Sequence, residues 1–152
     1  MVDPGSKTSA MKLVKVWDIP VEKIKGPNGR SDRNEISLYR LALSVDEYAN
    51  EIGLAVVEEV GVMTGTEGRV GMFRFGYGAG AIAGILASLL IPTRLVKPQV
   101  WKPLMGLSRD KGISRKKATE LFPDQSEMFK RVKDDGRAEA ALLAVFGKRL
   151  VG

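Results

Sequence analysis

Two acidic residues near the end of the chain, Asp135 and Glu139, stand four positions apart at the start of a stretch typical of a helix. From Ala138 onward Ala and Leu dominate, and the first β-branched residue is Val145. If the first helical turn begins near Asp135, both carboxylates project from one face, roughly toward Leu142. Inward-facing carboxylates need a cation. The alternative is that the acids only complement the dipole at the helix N-terminus.

The composition excludes several kinds of chemistry. The 152 residues include no cysteine and no histidine, so thiolate zinc sites, cysteine nucleophiles and imidazole bases are absent. The remaining candidates for catalysis are carboxylates, Lys, Ser, Thr and Tyr. Carboxylates favour hard cations such as Mg²⁺ or Mn²⁺.

The charge of the chain indicates a polyanionic partner. The formal net charge is +6 and the isoelectric point is about 9.7, which favours nucleic acid first and an anionic membrane second. The polar N-terminus lacks the apolar core of a signal peptide. The apolar run over residues 76–92 is short and rich in Gly and Ala, so we expect a buried helix there and no membrane span.

Periodicity and turn residues give a coarse order of elements. Alternation predicts strands over residues 11–19 and 21–24, and a continuous apolar run predicts a buried strand over 54–57 that ends at Glu58. An acid at the carboxyl end of a buried strand is where open α/β sheets keep their ligand sites. Further helices are predicted over 31–50, 78–90 and 114–121. The order predicts a mixed α/β sheet with helices on its faces.

Five segments, the last in two parts, match motifs of one family in the correct order. They are Val-Asp-Pro-Gly at 2–5, Val-Val-Glu at 56–58, Phe-Arg-Phe-Gly-Tyr-Gly at 73–78, Lys-Pro-Gln-Val-Trp-Lys at 97–102, and the stretches 111–123 and 133–144. On these motifs the chain resembles the RuvC-type Holliday junction resolvases of the RNase H-like superfamily. The phage and chloroplast monokaryotic resolvases are the branch that it resembles most.

The resemblance implies a fold and an acidic site. The fold is α/β, with an RNase H-like mixed β-sheet flanked by helices on both faces and a single nuclease domain over residues 1–152. Four carboxylates are expected to hold two Mg²⁺ or Mn²⁺ ions for the hydrolysis of a phosphodiester. The implied ligands, with Asp134 as a substitute for Asp135 if the register slips by one, are Asp3, Glu58, Asp135 and Glu139.

The resemblance also implies contacts with DNA. Two groups of side chains are involved, one near the backbone phosphates and one after the second acid, where the family inserts residues into the centre of the junction. The first group is Lys102 and Lys111, with a solvated surface as the alternative, and Arg115 is a further candidate for DNA binding. The second group is Arg69, Phe73 and Arg74, with packing in the core as the alternative.

We therefore expect a homodimeric endonuclease that resolves four-way DNA junctions by paired symmetric nicks. The expected location is the cytoplasm of a bacterial or phage-infected cell, with an organelle as an alternative. One rival function is an RNase H-like nuclease that acts on other branched DNA or on RNA–DNA hybrids. Another is a catalytically inactive protein that binds junctions.

Overall fold

The last helix begins at Asp135, so the condition under which Asp135 and Glu139 share one helix face is met. In the computed structural model this helix, α5, spans Asp135–Val151. Lys148 and Arg149 lie in its last turn, where positive charge complements the helix dipole. Its buried residues are Ala138, Ala141, Leu142, Leu143, Val145, Phe146 and Gly147.

The structure describes residues 2–3, 12–13, 15–26, 29, 32–59, 61, 68–108 and 110–151. Short 3₁₀ turns lie at Ala49–Glu51, Pro123–Phe129 and Val132–Asp134. The other strands and helices, in chain order, are β1 (Val2–Asp3), β2 (Lys12–Leu13), β3 (Val21–Lys25), β4 (Asp32–Ile36), α1 (Leu38–Asp46), β5 (Ala55–Glu58), α2 (Arg69–Ser88), β6 (Thr93–Val96), α3 (Pro98–Leu104) and α4 (Lys111–Leu121).

The chain divides into two compact units. The first contains Met1–Asp18, Leu54–Glu59 and Arg94–Gly152, and the second contains Ile19–Gly53 and Val60–Thr93. The prediction of a single domain over the whole chain is not tested by this division and stays a prediction. The largest buried apolar side chains of the first unit are Trp101, Phe122, Phe129 and Leu142.

The described residues form three two-stranded sheets, which pair β1 with β2, β3 with β4, and β5 with β6. Together with the helices they confirm the mixed α/β class. Sheets of this size do not establish an RNase H-like arrangement. The predicted strand over 54–57 is confirmed as β5, shifted by one residue.

The prediction of one helix over residues 31–50 is wrong in its first part. β4 occupies the start of that stretch and pairs antiparallel with β3, so that Val21 faces Ile36 and Lys25 faces Asp32. Pairing with a neighbouring strand overrides local helix preference. The helix begins only after Ser37, whose extended backbone marks its N-terminus.

The predicted strand over residues 11–19 is also mostly wrong. Lys12 and Leu13 are in β2, but the described residues after them, 15–20, are not in a strand. Pro20 cannot donate a hydrogen bond to a sheet. Asp18 instead forms an ion pair with Arg137 of α5, at 2.6 Å between its Oδ2 and Nη2.

Helix α2 is longer and more exposed than the sequence predicts. Its buried residues are Gly78 and Leu86, so the expectation of a buried helix is wrong for most of its length. By length and composition alone, this 20-residue helix is enough to cross a membrane, with a mean hydropathy of 1.3 over a window of 18 residues. The expectation of no membrane span, and with it of no membrane among the partners, stays a prediction.

Close packing of α5 on β5 depends on Gly147. A Cβ atom on this residue would lie 2.6 Å from Cγ2 of Val56. Atoms that close must move apart, and a β-branched side chain within a strand has few other rotamers. Glycine at this position therefore allows the helix to approach the strand.

We expect Gly147→Ala to lower the free energy of unfolding by about 1–2 kcal/mol, because overpacking costs more than the helix preference of alanine gains. Urea unfolding followed by circular dichroism measures the change. Gly136→Ala is the control in the same helix, since a Cβ there meets no atom within 4 Å. An equal effect of both substitutions would contradict the packing argument.

Candidate active site

All four predicted acids lie in the first unit, on elements that contact α5 or belong to it. Glu58 is the last residue of β5, and Asp135 and Glu139 lie in the first two turns of α5. Both β5 and β1 pack against α5. Asp3 is the last residue of β1, but its side chain lies outside the described part of the structure. The predicted role of Asp3 stays a prediction.

Helices α3 and α4 bring polar and basic side chains to these acids. Pro98 occupies the first turn of α3, where its fixed φ angle suits a helix N-terminus. This helix carries Trp101 and Lys102, and α4 carries Ser114 and Arg115. Successive residues of a helix project about 100° apart, so neighbours in sequence can reach different acids.

Glu58 is held by an aromatic side chain. The indole Nε1–H of Trp101 donates a hydrogen bond of 2.9 Å to Oε2 of Glu58. Trp101 is fully buried in the core of the unit. A rigid, enclosed donor fixes the position of the carboxylate it contacts. This hydrogen bond therefore orients Glu58 at the end of its strand.

Glu139 is held by two donors. Lys102 Nζ lies 2.9 Å from Oε1 of Glu139, and the side chains are 25% and 27% exposed. The same oxygen lies 3.5 Å from the hydroxyl of the buried Ser114. The Lys102 ammonium also lies 5.5 Å from the ring centroid of Trp101, within the range of a cation–π contact. Trp101 and Lys102 thus link Glu58 with Glu139.

Asp135 is paired with Arg115, but less well. Arg115 Nε lies 2.7 Å from Oδ1 of Asp135, and the side chains are 24% and 18% exposed. Despite the short distance, the N–H is not aimed at the oxygen, since neither buried atom makes a hydrogen bond to any described residue. The pair is therefore an ionic contact without a directed hydrogen bond.

Asp134, the alternative ligand, has a different partner. Its side chain is 1% exposed, and Arg131 donates to it from Nη2 at 2.8 Å and from the backbone N–H at 2.8 Å. The hydrogen bonds from the Arg131 side chain hold the pKa of Asp134 below its ordinary value. These contacts close the turn before α5. The hydrogen bonds to Asp134 come from Arg131 and not from the side chains that contact Glu58 and Glu139.

The ion pair of Asp134 predicts a dependence of stability on pH. Because folding lowers the pKa of Asp134, its contribution is complete above the ordinary value of 3.8 and is lost as the pH falls through the lower, folded value. We expect Asp134→Asn to be less stable than the parent at pH 7, and the difference to shrink below about pH 4. Urea midpoints measured across this range test it. A difference that stays constant to pH 2 would contradict the ion pair.

A second ion pair holds the other side of this turn. Arg137 donates to both carboxylate oxygens of Asp18, at 2.7 Å from Nε and 2.6 Å from Nη2. The paired hydrogen bonds lower the pKa of Asp18 and raise the pKa of Arg137. Both pairs flank Asp135, so they fix the start of α5 and with it the first acid of the helix.

The described acids are not grouped around one point as ligands of a single ion would be. Among the residues that the structure describes, no group of three or more acidic side chains is placed so that it could hold an ion. Instead, each of the described acids Glu58, Asp135 and Glu139 contacts a donor of the chain. The side chain of Asp3 lies outside the described residues and is not among these acids. The expected pair of ions stays a prediction.

The predicted DNA contacts fall into three groups. Arg69, Phe73 and Arg74 are exposed on the first half of α2, in the second unit. Lys102 and Arg115 contact the acids, which the sequence does not indicate. The side chain of Lys111 lies outside the described residues.

Sequence reasoning misses two donors. Neither Trp101, which binds Glu58, nor Ser114 is singled out as a donor. The signal for Trp101 is that a buried indole needs a hydrogen-bond acceptor. Its position next to Lys102 places it close to the predicted site. Ser114 lies beside Arg115 in the same basic stretch, and only the fold shows that it faces Glu139.

The chain matches no protein-family model, and no curated protein matches it in sequence.

Proposed function

We propose that the protein is a metal-dependent, structure-specific endonuclease with an RNase H-like arrangement, which nicks opposed strands of a four-way DNA junction. The observation that carries this proposal is the grouping of acids from distant parts of the chain. Glu58 and Glu139 are 81 positions apart in the numbering, and adjacent residues of α3 connect them. The resemblance to the RuvC-type resolvases names these same acids.

The carboxylates of the site suit the proposed ions as ligands. Carboxylate oxygens are the ligands that Mg²⁺ and Mn²⁺ prefer, and Oδ1 of Asp135 is buried without a hydrogen bond to any described residue. Glu58, Asp135 and Glu139, with Asp3 as the fourth acid, are the residues proposed to hold the two ions. When bound, such ions supply Lewis acidity and a water of lowered pKa.

The other side chains of the site have roles that do not depend on the ions. Trp101 orients Glu58 from the core and keeps water from that side of the carboxylate. Lys102 and Arg115 place positive charge beside the acids, where a phosphodiester can be neutralised. The net charge of +6 supports binding to DNA over a wider surface.

Symmetric nicking implies two copies of the active site. A four-way junction has twofold symmetry, which a homodimer matches. A homodimer is therefore part of the proposal, and mass measurement in solution tests this oligomeric state. The proposed location is the cytoplasm.

One observation favours the catalytically inactive alternative. Glu58, Asp135 and Glu139 each already contact a donor from the chain, as acids do in a purely structural cluster of ion pairs. A nuclease for flaps or RNA–DNA hybrids is the other alternative, since the same acids serve either substrate.

End-labelled substrates distinguish these functions. A four-way junction, a flap and an RNA–DNA hybrid are incubated with the protein, with Mg²⁺ or with a chelator. The proposal predicts paired, symmetric nicks in the junction only, and only with Mg²⁺. Cleavage of the hybrid or flap alone would favour the related nuclease, and binding without cleavage would favour the inactive protein.

A further inference from the structure

We propose that Lys102 and Arg115 are built-in counter-cations of the acidic site, and that a divalent ion enters by displacing them from Glu139 and Asp135. This inference rests on the proposed function, because it concerns the same acids. It adds a residue-level switch: the basic side chains hold the acids when no ion is bound and are released when one binds.

The first argument is the position of the positive charges. Lys102 Nζ is 2.9 Å from Glu139 Oε1, and Arg115 Nε is 2.7 Å from Asp135 Oδ1. Contacts this short occupy the carboxylate oxygens that a divalent ion needs as ligands. An ion bound to those oxygens would lie close to the positively charged nitrogen atoms for as long as these stay where they are.

The second argument is the balance of charge. In the described part of the site, the carboxylates of Glu58, Asp135 and Glu139 face two cations. The cluster is thus nearly neutral, which explains how carboxylates can be grouped without a metal. A divalent ion added to this cluster would repel both basic side chains at close range. Their movement away from the acids removes that repulsion.

The two pairs differ in how firmly they are held. Arg115 makes no directed hydrogen bond to Asp135, so its contact rests on charge alone. Lys102 donates to Glu139 and lies against the ring of Trp101. We expect the Arg115 contact to break first, and Lys102 to control the affinity for the ion.

Trp101 is the fixed point of the switch. It is fully buried, so it does not move with Lys102, and its hydrogen bond keeps Glu58 in place. Lysine has four rotatable bonds and three donors, and its ammonium can turn from Glu139 to a nearby phosphate. The released cations then lie beside the acids, where the DNA backbone is expected.

Chemical labelling of the unmodified protein tests the displacement without an activity assay. Lysine amines are acetylated for a short time with and without Mn²⁺, and mass spectrometry of the peptides gives the rate at each position. We expect the labelling of Lys102 to rise several-fold with Mn²⁺. Lys130, which contacts Glu127 on the surface, is the internal control and should not change.

Manganese binding to a variant gives the thermodynamic test. Lys102→Met keeps the length of the side chain and removes its charge, so Mn²⁺ should bind about fivefold more tightly, as expected for loss of a partly exposed ion pair. Lys130→Met removes the same charge at a distance and should leave the affinity unchanged. Electron paramagnetic resonance of free Mn²⁺ measures both.

The outcomes separate this inference from the proposed function. If the parent protein binds Mn²⁺ and Glu139→Gln weakens that binding, while Lys102 labelling does not rise, the inference is wrong and the metal site stands. Weaker Mn²⁺ binding by Lys102→Met also overturns the inference. If the parent protein does not bind Mn²⁺ at all, both the inference and the proposed function fail.

Discussion

We expect the Asp135→Asn variant to nick a four-way junction about 10³-fold more slowly than the parent protein in Mg²⁺. Asparagine keeps the shape of the side chain but removes the charge that is proposed to hold an ion, and a lost ion removes several kcal/mol of transition-state stabilisation. Junction binding should be unchanged or tighter, because the variant repels phosphate less. Rates from end-labelled junctions and affinities from gel shifts measure the two effects.

Asp124→Asn is the matched control for this prediction. Asp124 is an exposed residue of the same unit, in the turn that follows α4. The same chemical change there should leave the nicking rate within twofold of the parent, an order-of-magnitude expectation for surface substitutions. Retained cleavage by Asp135→Asn would defeat the assignment of this acid.

The second large effect is expected at Trp101. Truncation of a fully buried tryptophan to alanine should lower the free energy of unfolding by about 3–5 kcal/mol, a large share of the stability of a small domain. Trp101→Phe keeps most of the packing but removes the donor of the hydrogen bond to Glu58. The free energy of unfolding of Trp101→Phe should fall by about 1–3 kcal/mol, since the carboxylate of Glu58 loses its hydrogen-bond donor. Urea unfolding followed by circular dichroism compares the two variants.

Leu104→Ala controls for truncation within the same helix. Leu104 is 63% exposed, so its loss should change stability by no more than about 0.5 kcal/mol. If Trp101→Phe were as stable as the parent protein and equally active, the hydrogen bond to Glu58 would have no role in the site. A loss equal to that of Trp101→Ala would show that the hydrogen bond, and not packing, accounts for the stability that the residue contributes.

The parts of the fold that depend on local sequence are predictable. The start of α5 at Asp135 follows from the Ala- and Leu-rich stretch behind it, and β5 follows from a short apolar run before Glu58. Both elements carry their signal within a few residues. The acids on them are therefore the part of the candidate site that the sequence predicts best.

The parts that depend on distant partners are not predictable in this way. Residues 32–36 form a strand because β3 pairs with them, and nothing in their own sequence requires it. Asp18 leaves the predicted strand to pair with Arg137, which is 119 positions away. The contact of Lys102 with Glu139 likewise joins two elements that are far apart in the chain.

Helix α2 shows a different reason for error. Its Gly- and Ala-rich sequence predicts a helix correctly, but the same composition suits a buried helix, an interface or a membrane span. Only the fold determines which faces are covered, and in this structure Gly78 and Leu86 are buried. Composition therefore predicts the helix and not its surroundings.

The central claim is that acids from β5 and the start of α5 share divalent ions, and anomalous diffraction from a crystal soaked in Mn²⁺ tests it most directly. The account predicts a manganese peak bonded to Glu58 and to at least one of Asp135 and Glu139. The Lys102 ammonium should then be turned away from Glu139. A map without such a peak, in which Lys102 and Arg115 still contact their acids, would contradict it.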